Sequence, residues 1–162
     1  MYRWPLNVSS FSFLDRLKIC LFFLNSKIFW TQGDFTKEFE KKMARFMGFE
    51  YAIFVSSGSA ANTILAMHVR DSFVRNSKRN IVVLPSTTWQ TSVSPWIREG
   101  FEPHFIDVNI HNYGMDIGAL KSYLKDNHQK VAAVFPTSLL GCNINYNTLR
   151  DISFQYPGIY FA

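Results

Sequence analysis

The chain has 162 residues, 17 of them Lys or Arg and 12 Asp or Glu, for a formal net charge of +5; 48% are apolar and 17% aromatic against 18% charged. That composition supplies a core and excludes a disordered tail, a collagen-like repeat and a coiled coil. The basic residues are scattered, and their densest group, Arg75, Lys78 and Arg79, reads as a solvated surface turn and not as a nucleic-acid patch.

The first 30 residues show no clean period until a helix from Ser12 to Leu24. Its apolar run Ile19–Leu24 is far shorter than the roughly 20 residues that span a bilayer. Asp15, Arg16 and Lys18 crowd its start and Asn25, Ser26 and Lys27 follow it, so neither a membrane helix nor a signal peptide is indicated. We read 1–32 as an N-terminal arm and helix, and 33–162 as part of one large domain. The large domain opens with an amphipathic helix in which Phe35, Phe39, Met43 and Phe46 mark one face. Asp34 is its expected N-cap and Gly48 its left-handed terminator.

Tyr51–Val55 then reads as a short strand, Ser56–Asn62 as a tight turn, and Thr63–His68 as a helix. Ile81–Leu84, four apolar residues without polar alternation, suits a strand covered on both faces and ended by Pro85. A helix over Trp89–Arg98, started or interrupted by Pro95 and closed by Gly100, leads to a strand at Pro103–Val108. A helix from Met115-Asp116 through Leu120 and Leu124 follows, then a strand at Val131–Phe135, a loop around Gly141, a helix at Asn147–Phe154 and a strand at Gly158–Ala162. Strands alternating with helices of about ten residues predict an α/β three-layer sandwich with a mostly parallel sheet. Cys20 and Cys142 lie far apart, without a CxxC pair or zinc-like histidine spacing, so neither a disulfide framework nor a metal is expected and a reducing cytoplasm is the expected compartment.

In open parallel sheets, ligands collect beyond the carboxyl ends of the strands. In Ser56–Asn62, Gly58 permits close approach of the backbone, Ser57 and Ser59 offer hydroxyls, and the following helix offers unpaired N–H groups, a combination that suits a phosphate. It matches neither a Walker loop nor GxGxxG, and an ordinary N-cap is the simpler account of that turn alone. In Pro85–Thr91, Trp89 stands among Ser and Thr residues, as a platform for a flat ring would. A packing residue at a helix start explains Trp89 equally well from this feature alone. Phe135–Gly141 adds polar groups and a glycine after a buried strand. Taken together, the three loops describe a pocket for a phosphorylated aromatic cofactor, and pyridoxal 5′-phosphate (PLP) fits that description.

Gly33, Phe39-Glu40, Gly48, Ser57-Gly58-Ser59-Ala60-Ala61-Asn62, Pro85–Trp89, Gly100-Phe101-Glu102-Pro103, Phe105–Val108, Tyr113–Asp116 and Leu139-Leu140-Gly141 occur in the order and at the spacing of the DegT/StrS sugar aminotransferases. Over nearly its whole length the chain resembles that family. The resemblance implies a fold-type-I PLP enzyme, usually a homodimer, that moves an amino group from an amino-acid donor, typically glutamate, to a nucleotide-linked keto sugar for a surface glycan. It also implies that Ser59 and Ala60 hold the cofactor phosphate through backbone N–H groups and the serine hydroxyl, that Gly58 lets the backbone approach, and that Trp89 stacks on the pyridine ring. Where the family usually has Thr, Ser59 keeps the hydroxyl; where many members carry a His in the third loop, Ser138 stands.

Transamination also needs an acid on the pyridine nitrogen and a lysine for the Schiff base. Neither is assignable: Lys121, Lys125 and Lys130 have the spacing of a solvated helix face, and in the family both groups lie beyond the position of Ala162. Asp107 could bond a neighbouring loop, and His68 and His104 read as structural or surface residues. We therefore expect the N-terminal portion of a longer enzyme, inactive and poorly soluble alone. Two alternatives remain: a related PLP-dependent sugar 3-dehydrase, in which a histidine replaces the lysine, and a non-catalytic binding or interaction protein.

Overall fold

The computed structural model describes residues 10–25, 31–75, 77–141 and 144–162. The backbone separates into two compact units, Met1–Phe54 and Val55–Ala162.

In the first unit, helix α1 (Phe13–Leu24) begins at a reciprocal cap: Asp15 N–H donates to Ser12 Oγ at 3.2 Å, and Ser12 N–H donates to Asp15 Oδ2 at 3.0 Å. Two N–H groups left over at a helix start are thereby satisfied. Helix α2 (Asp34–Met47) ends on Gly48 at φ 73°, the expected left-handed terminator. Its cap, however, is Gly33, and Asp34 is already helical. There the carboxylate meets the positive end of the helix dipole without bonding as a cap. The stripe Phe35, Phe39, Met43 and Phe46 forms but stays exposed, and Ala44 alone on this helix is buried. Phe39 meets Phe54 edge-on with centroids 5.2 Å apart, and Phe54 N–H donates to Glu40 Oε1 at 2.8 Å. The expected strand at Tyr51–Val55 does not form. Tyr51 and Ile53 are each 77% exposed, and among the described residues no neighbouring strand takes their backbone groups. A run of strand-forming side chains is not a strand until a second strand pairs with it.

In the second unit, β1 (Ile81–Pro85), β2 (Glu102–Ile106), β3 (Val131–Val134) and β4 (Tyr160–Phe161) form one parallel sheet in the order β2-β1-β3-β4. Helix α3 (Gly58–His68), which continues into a π-helical turn at Val69–Phe73, packs with α4 (Gln90–Arg98) on one face. Helices α5 (Ile117–Asn127) and α6 (Tyr146–Gln155) cover the other, completing the expected three layers. Val82 and Leu84 of β1 enter the cluster of Trp96 and Phe101, whereas Val83 enters that of Leu120, Leu124 and Ile152. This is the period-two alternation of a strand buried on both faces.

Strand β3 keeps step only through a bulge: Ile81 pairs with Val131 but Val82 with Ala133, skipping Ala132. The extra residue puts Ala132 and Ala133 both on the α3/α4 side and returns Val134 to the side of Val131. Two successive methyl groups suit the fully buried indole of Trp96 in the same cluster. Strand β2 ends at Ile106, two residues short of expectation, because Val108 N–H turns to Asp107 Oδ1 at 2.8 Å and Val108 bridges antiparallel to Met115.

Arg79 corrects the surface-turn reading of residues 75–79. Arg75 and Lys78 are exposed, but Arg79 is half-buried, and its Nη1 donates to the carbonyls of His128, Val131 and Gly158 at 3.2, 3.0 and 2.7 Å. It thus joins the end of α5, the start of β3 and the turn before β4. A Cβ at Gly158 would lie 2.6 Å from Arg79 Nη2, so a side chain there would push the guanidinium off its present bonds. Since a lysine ammonium sits one bond closer to the backbone than Nη1 and falls short of the three carbonyls, Arg79→Lys should cost about 1–3 kcal/mol in urea unfolding of the full chain. An unchanged midpoint would mean that these bonds contribute nothing net.

Candidate functional site

Strand β1 lies between β2 and β3, so the strand order reverses at β1 and β3, and a crevice opens beyond their carboxyl ends. The segment after β1 runs to α4 on one face of the sheet, and the segment after β3 runs to α6 on the other. Across this divergence, Thr88 Oγ1 and Thr137 Oγ1 lie 3.0 Å apart. Ser86 joins β1 to β2: its N–H donates to the Ile106 carbonyl at 2.8 Å and its hydroxyl to Asp107 Oδ1 at 3.4 Å. Asp107 therefore does bond a neighbouring loop.

The turn Ser56–Asn62 is helical from Gly58 onward, because Ser57 caps α3 by accepting Ala60 N–H at 3.1 Å. The ordinary-cap reading is thus correct as far as it goes, but it engages one donor. The N–H groups of Gly58 and Ser59 and the Ser59 hydroxyl have no partner among the described residues, whereas a ligand at Ala60 N–H competes with Ser57. The free donors stand at the positive end of an 11-residue helix, where an anion is stabilised. A Cβ on Gly58 would meet nothing within 4 Å, so no described residue requires glycine there.

Trp89 is the N-cap of α4, with extended backbone (φ −81°, ψ 140°), and is 68% exposed. It is no core residue of this unit, and its indole face is available. Helix α4 contains Pro95, which has no N–H for the Thr91 carbonyl one turn earlier. Asn62 Nδ2 supplies the missing donor at 3.2 Å, and so fixes the start of α3 against the start of α4. Between these helices lies an open cleft of ≈ 310 Å³ lined by Ser59, Thr63, Thr91, Ser94, Pro95 and Arg98. Replacing Asn62 by the similarly sized Leu orphans the Thr91 carbonyl and should cost about 1–3 kcal/mol. Thermal unfolding of the full chain measures this, and a loss under about 0.3 kcal/mol would mean that water substitutes for the amide.

In the third loop, Ser138 Oγ and Tyr146 OH are 2.7 Å apart, and Leu140 is 93% exposed at φ 54°. Cys142 lies outside the described residues. His104 stacks on Tyr123 with centroids 3.7 Å apart and planes 10° from parallel, and burial lowers its pKa from the usual histidine value. His68 packs edge-on against Tyr160 at 5.9 Å. Every described lysine is exposed, and Lys121, Lys125 and Lys130 lie on or just beyond α5, off the crevice loops.

The first turns of α3 and α4 and the loop after β3 are thus held together through Asn62–Thr91 and Thr88–Thr137. Gly58, Ser59, Ala60 and Trp89 ride on these elements. Neither periodicity nor cap chemistry marks Asn62, Thr88 or Thr137 in the sequence. Pro95, four residues after Thr91, was the signal that could have exposed a carbonyl in need of a donor.

The profile of the DegT/DnrJ/EryC1/StrS aminotransferase family matches residues 15–160. A GDP-4-keto-6-deoxy-D-mannose 3-dehydratase of Escherichia coli O55:H7 is 31% identical over 153 residues, covering 94% of this chain and 38% of the relative. The UDP-4-amino-4-deoxy-L-arabinose–oxoglutarate aminotransferase of Shewanella sediminis is 23% identical over 78% of this chain and 30% of its own length. A solved GDP-4-keto-6-deoxymannose-3-dehydratase, with a trapped PLP-glutamate geminal diamine, superposes with a TM-score of 0.82 at 29% identity over 98% of this chain and 40% of its own. The chain therefore spans well under half the length of these relatives.

Proposed function

The chain belongs to the DegT/DnrJ/EryC1/StrS aminotransferase family of PLP-dependent enzymes, and from that premise we propose that it forms the phosphate- and ring-binding part of a PLP enzyme acting on nucleotide-linked keto sugars. The observation that carries this reading is the free Gly58 and Ser59 donor set, joined through Asn62 to a helix that begins at an exposed Trp89. A dianionic phosphate matches the two N–H groups, the serine hydroxyl and the helix dipole. A flat heteroaromatic ring matches the indole. When bound, PLP supplies an electron sink for negative charge developing beside the reacting nitrogen. The protein's share is to orient the phosphate at Gly58 and Ser59, to cover one ring face with Trp89 and to exclude water from it. The lysine and the ring-nitrogen acid implied by the resemblance are assigned to none of the described residues.

The first reading of the reaction is amino transfer from glutamate to the keto sugar, in a cytoplasmic homodimer making surface glycan precursors. The second is loss of the 3-hydroxyl, the class of reaction named for the 3-dehydratase relative that is 31% identical to this chain. Titration of the protein with PLP, followed by visible absorbance, tests the shared premise. In a holoenzyme that also supplies the lysine and the ring-nitrogen acid, incubation with glutamate and a GDP-linked 4-keto-6-deoxy sugar then separates the two: an amino sugar supports the first, and a product short of one oxygen the second. Absence of PLP binding would overturn both.

A further inference from the structure

We propose that the Thr88–Thr137 hydroxyl pair is a positioning clasp for Trp89, which sets the orientation of the indole before any cofactor arrives; the inference rests on the PLP reading above. Trp89 is 68% exposed and makes no ring contact with a described neighbour, so its own side-chain packing does little to orient it. What fixes the indole is the backbone from which it projects. That backbone sits at the outgoing end of a loop that leaves β1 just where the sheet's strand order reverses.

A hydroxyl bond at 3.0 Å between two half-buried threonines crosses this divergence, one residue before Trp89. It connects the α4 side of the crevice to the loop after β3, 49 positions away. On the other side, Asn62 Nδ2 holds the first turn of α4 by the Thr91 carbonyl, two residues after Trp89. Trp89 is therefore bracketed: one side-chain bond precedes it and another follows it, and they come from two different elements. Ordering an exposed aromatic before binding spares the conformational entropy that a mobile one loses on stacking. The pair also keeps one hydroxyl proton in reserve, since two O–H groups share a single bond between them.

The test uses the full chain labelled with 5-fluorotryptophan, with the Trp89 resonance identified by its loss in Trp89→Phe. Thr137→Val removes the bond with little change of volume and leaves the sequence around Trp89 untouched. We expect the Trp89 fluorine signal of the cofactor-free protein to shift or broaden, and PLP affinity to fall about tenfold. Thr137→Ser, which keeps the hydroxyl, should restore both. Adding Thr88→Val to Thr137→Val should cost little more, because the two residues act as one unit. An unchanged fluorine signal overturns the clasp whatever the affinity does. A changed signal with unchanged affinity, where Trp89→Ala does weaken PLP, overturns its part in binding. Wild-type protein that ignores PLP overturns the PLP reading itself, and that failure is recognisable because the fluorine result does not depend on it.

Discussion

Replacing Trp89 by Ala should weaken PLP binding by roughly ten- to a hundredfold, the equivalent of the 1–3 kcal/mol that stacking of a flat heterocycle on an aromatic side chain contributes. The same change should move the unfolding midpoint of the full chain very little. Trp89 is 68% exposed and caps α4 through no side-chain hydrogen bond, so its removal leaves neither a cavity nor an orphaned polar group. This split distinguishes a ring platform from a packing residue, which would lose stability first and affinity only as a by-product. Visible absorbance titration and urea unfolding on one preparation read both quantities. Equal affinities for PLP in wild type and variant would remove the stacking role.

Trp96, seven residues later, should behave in the opposite way. It is fully buried, with Phe101 edge-on at 5.4 Å and Phe135 tilted at 5.6 Å. Trp96→Ala should cost about 3–5 kcal/mol, since the cavity adds to the lost transfer energy. Against a total stability on the order of 5–15 kcal/mol, that is enough to leave a marginal domain partly unfolded. The indole N–H has no hydrogen-bond partner among the described residues. A buried donor without an acceptor costs about 1–3 kcal/mol, so Trp96→Phe trades smaller apolar contact against relief of that penalty and should lose less than half as much as the alanine variant. If the Phe and Ala variants unfold at the same urea concentration, the penalty is absent and the full indole shape is what the site requires.

What the sequence made legible was what is local. The β1 run, the left-handed Gly48, the closing Gly100 and the helix starts near Ser12 and Asp116 all depend on residues within a few positions, and periodicity reports such contacts directly, although the cap expected at Asp34 fell one residue earlier, on Gly33. Tyr51–Val55 has the composition of a strand, but pairing is a property of two segments, and a single segment carries no record of its partner. The same limit applies at the site. Gly58, Ser59 and Trp89 stood out because their neighbours mark helix starts after apolar runs. The Thr88–Thr137 bond could not, since nothing in either threonine points across 49 positions. Asn62 falls between the two cases: Pro95 announces an unpaired carbonyl at Thr91, but not which donor reaches it.

Arg79 also bears on the order in which the chain is made. It stands two residues before Ile81–Pro85, a buried and uncharged strand of the kind prone to aggregate while still unpaired. The carbonyl of Gly158 is synthesised 79 residues later, which at ordinary translation speeds is roughly 4–16 s. During that interval the guanidinium lacks its shortest native bond, and a positive charge flanking an unpaired apolar strand disfavours intermolecular pairing. The bond to Gly158 is completed only once the turn before β4 has been made, so the same charge that flanks β1 while the strand is unpaired later ties the approach to β1 to that turn.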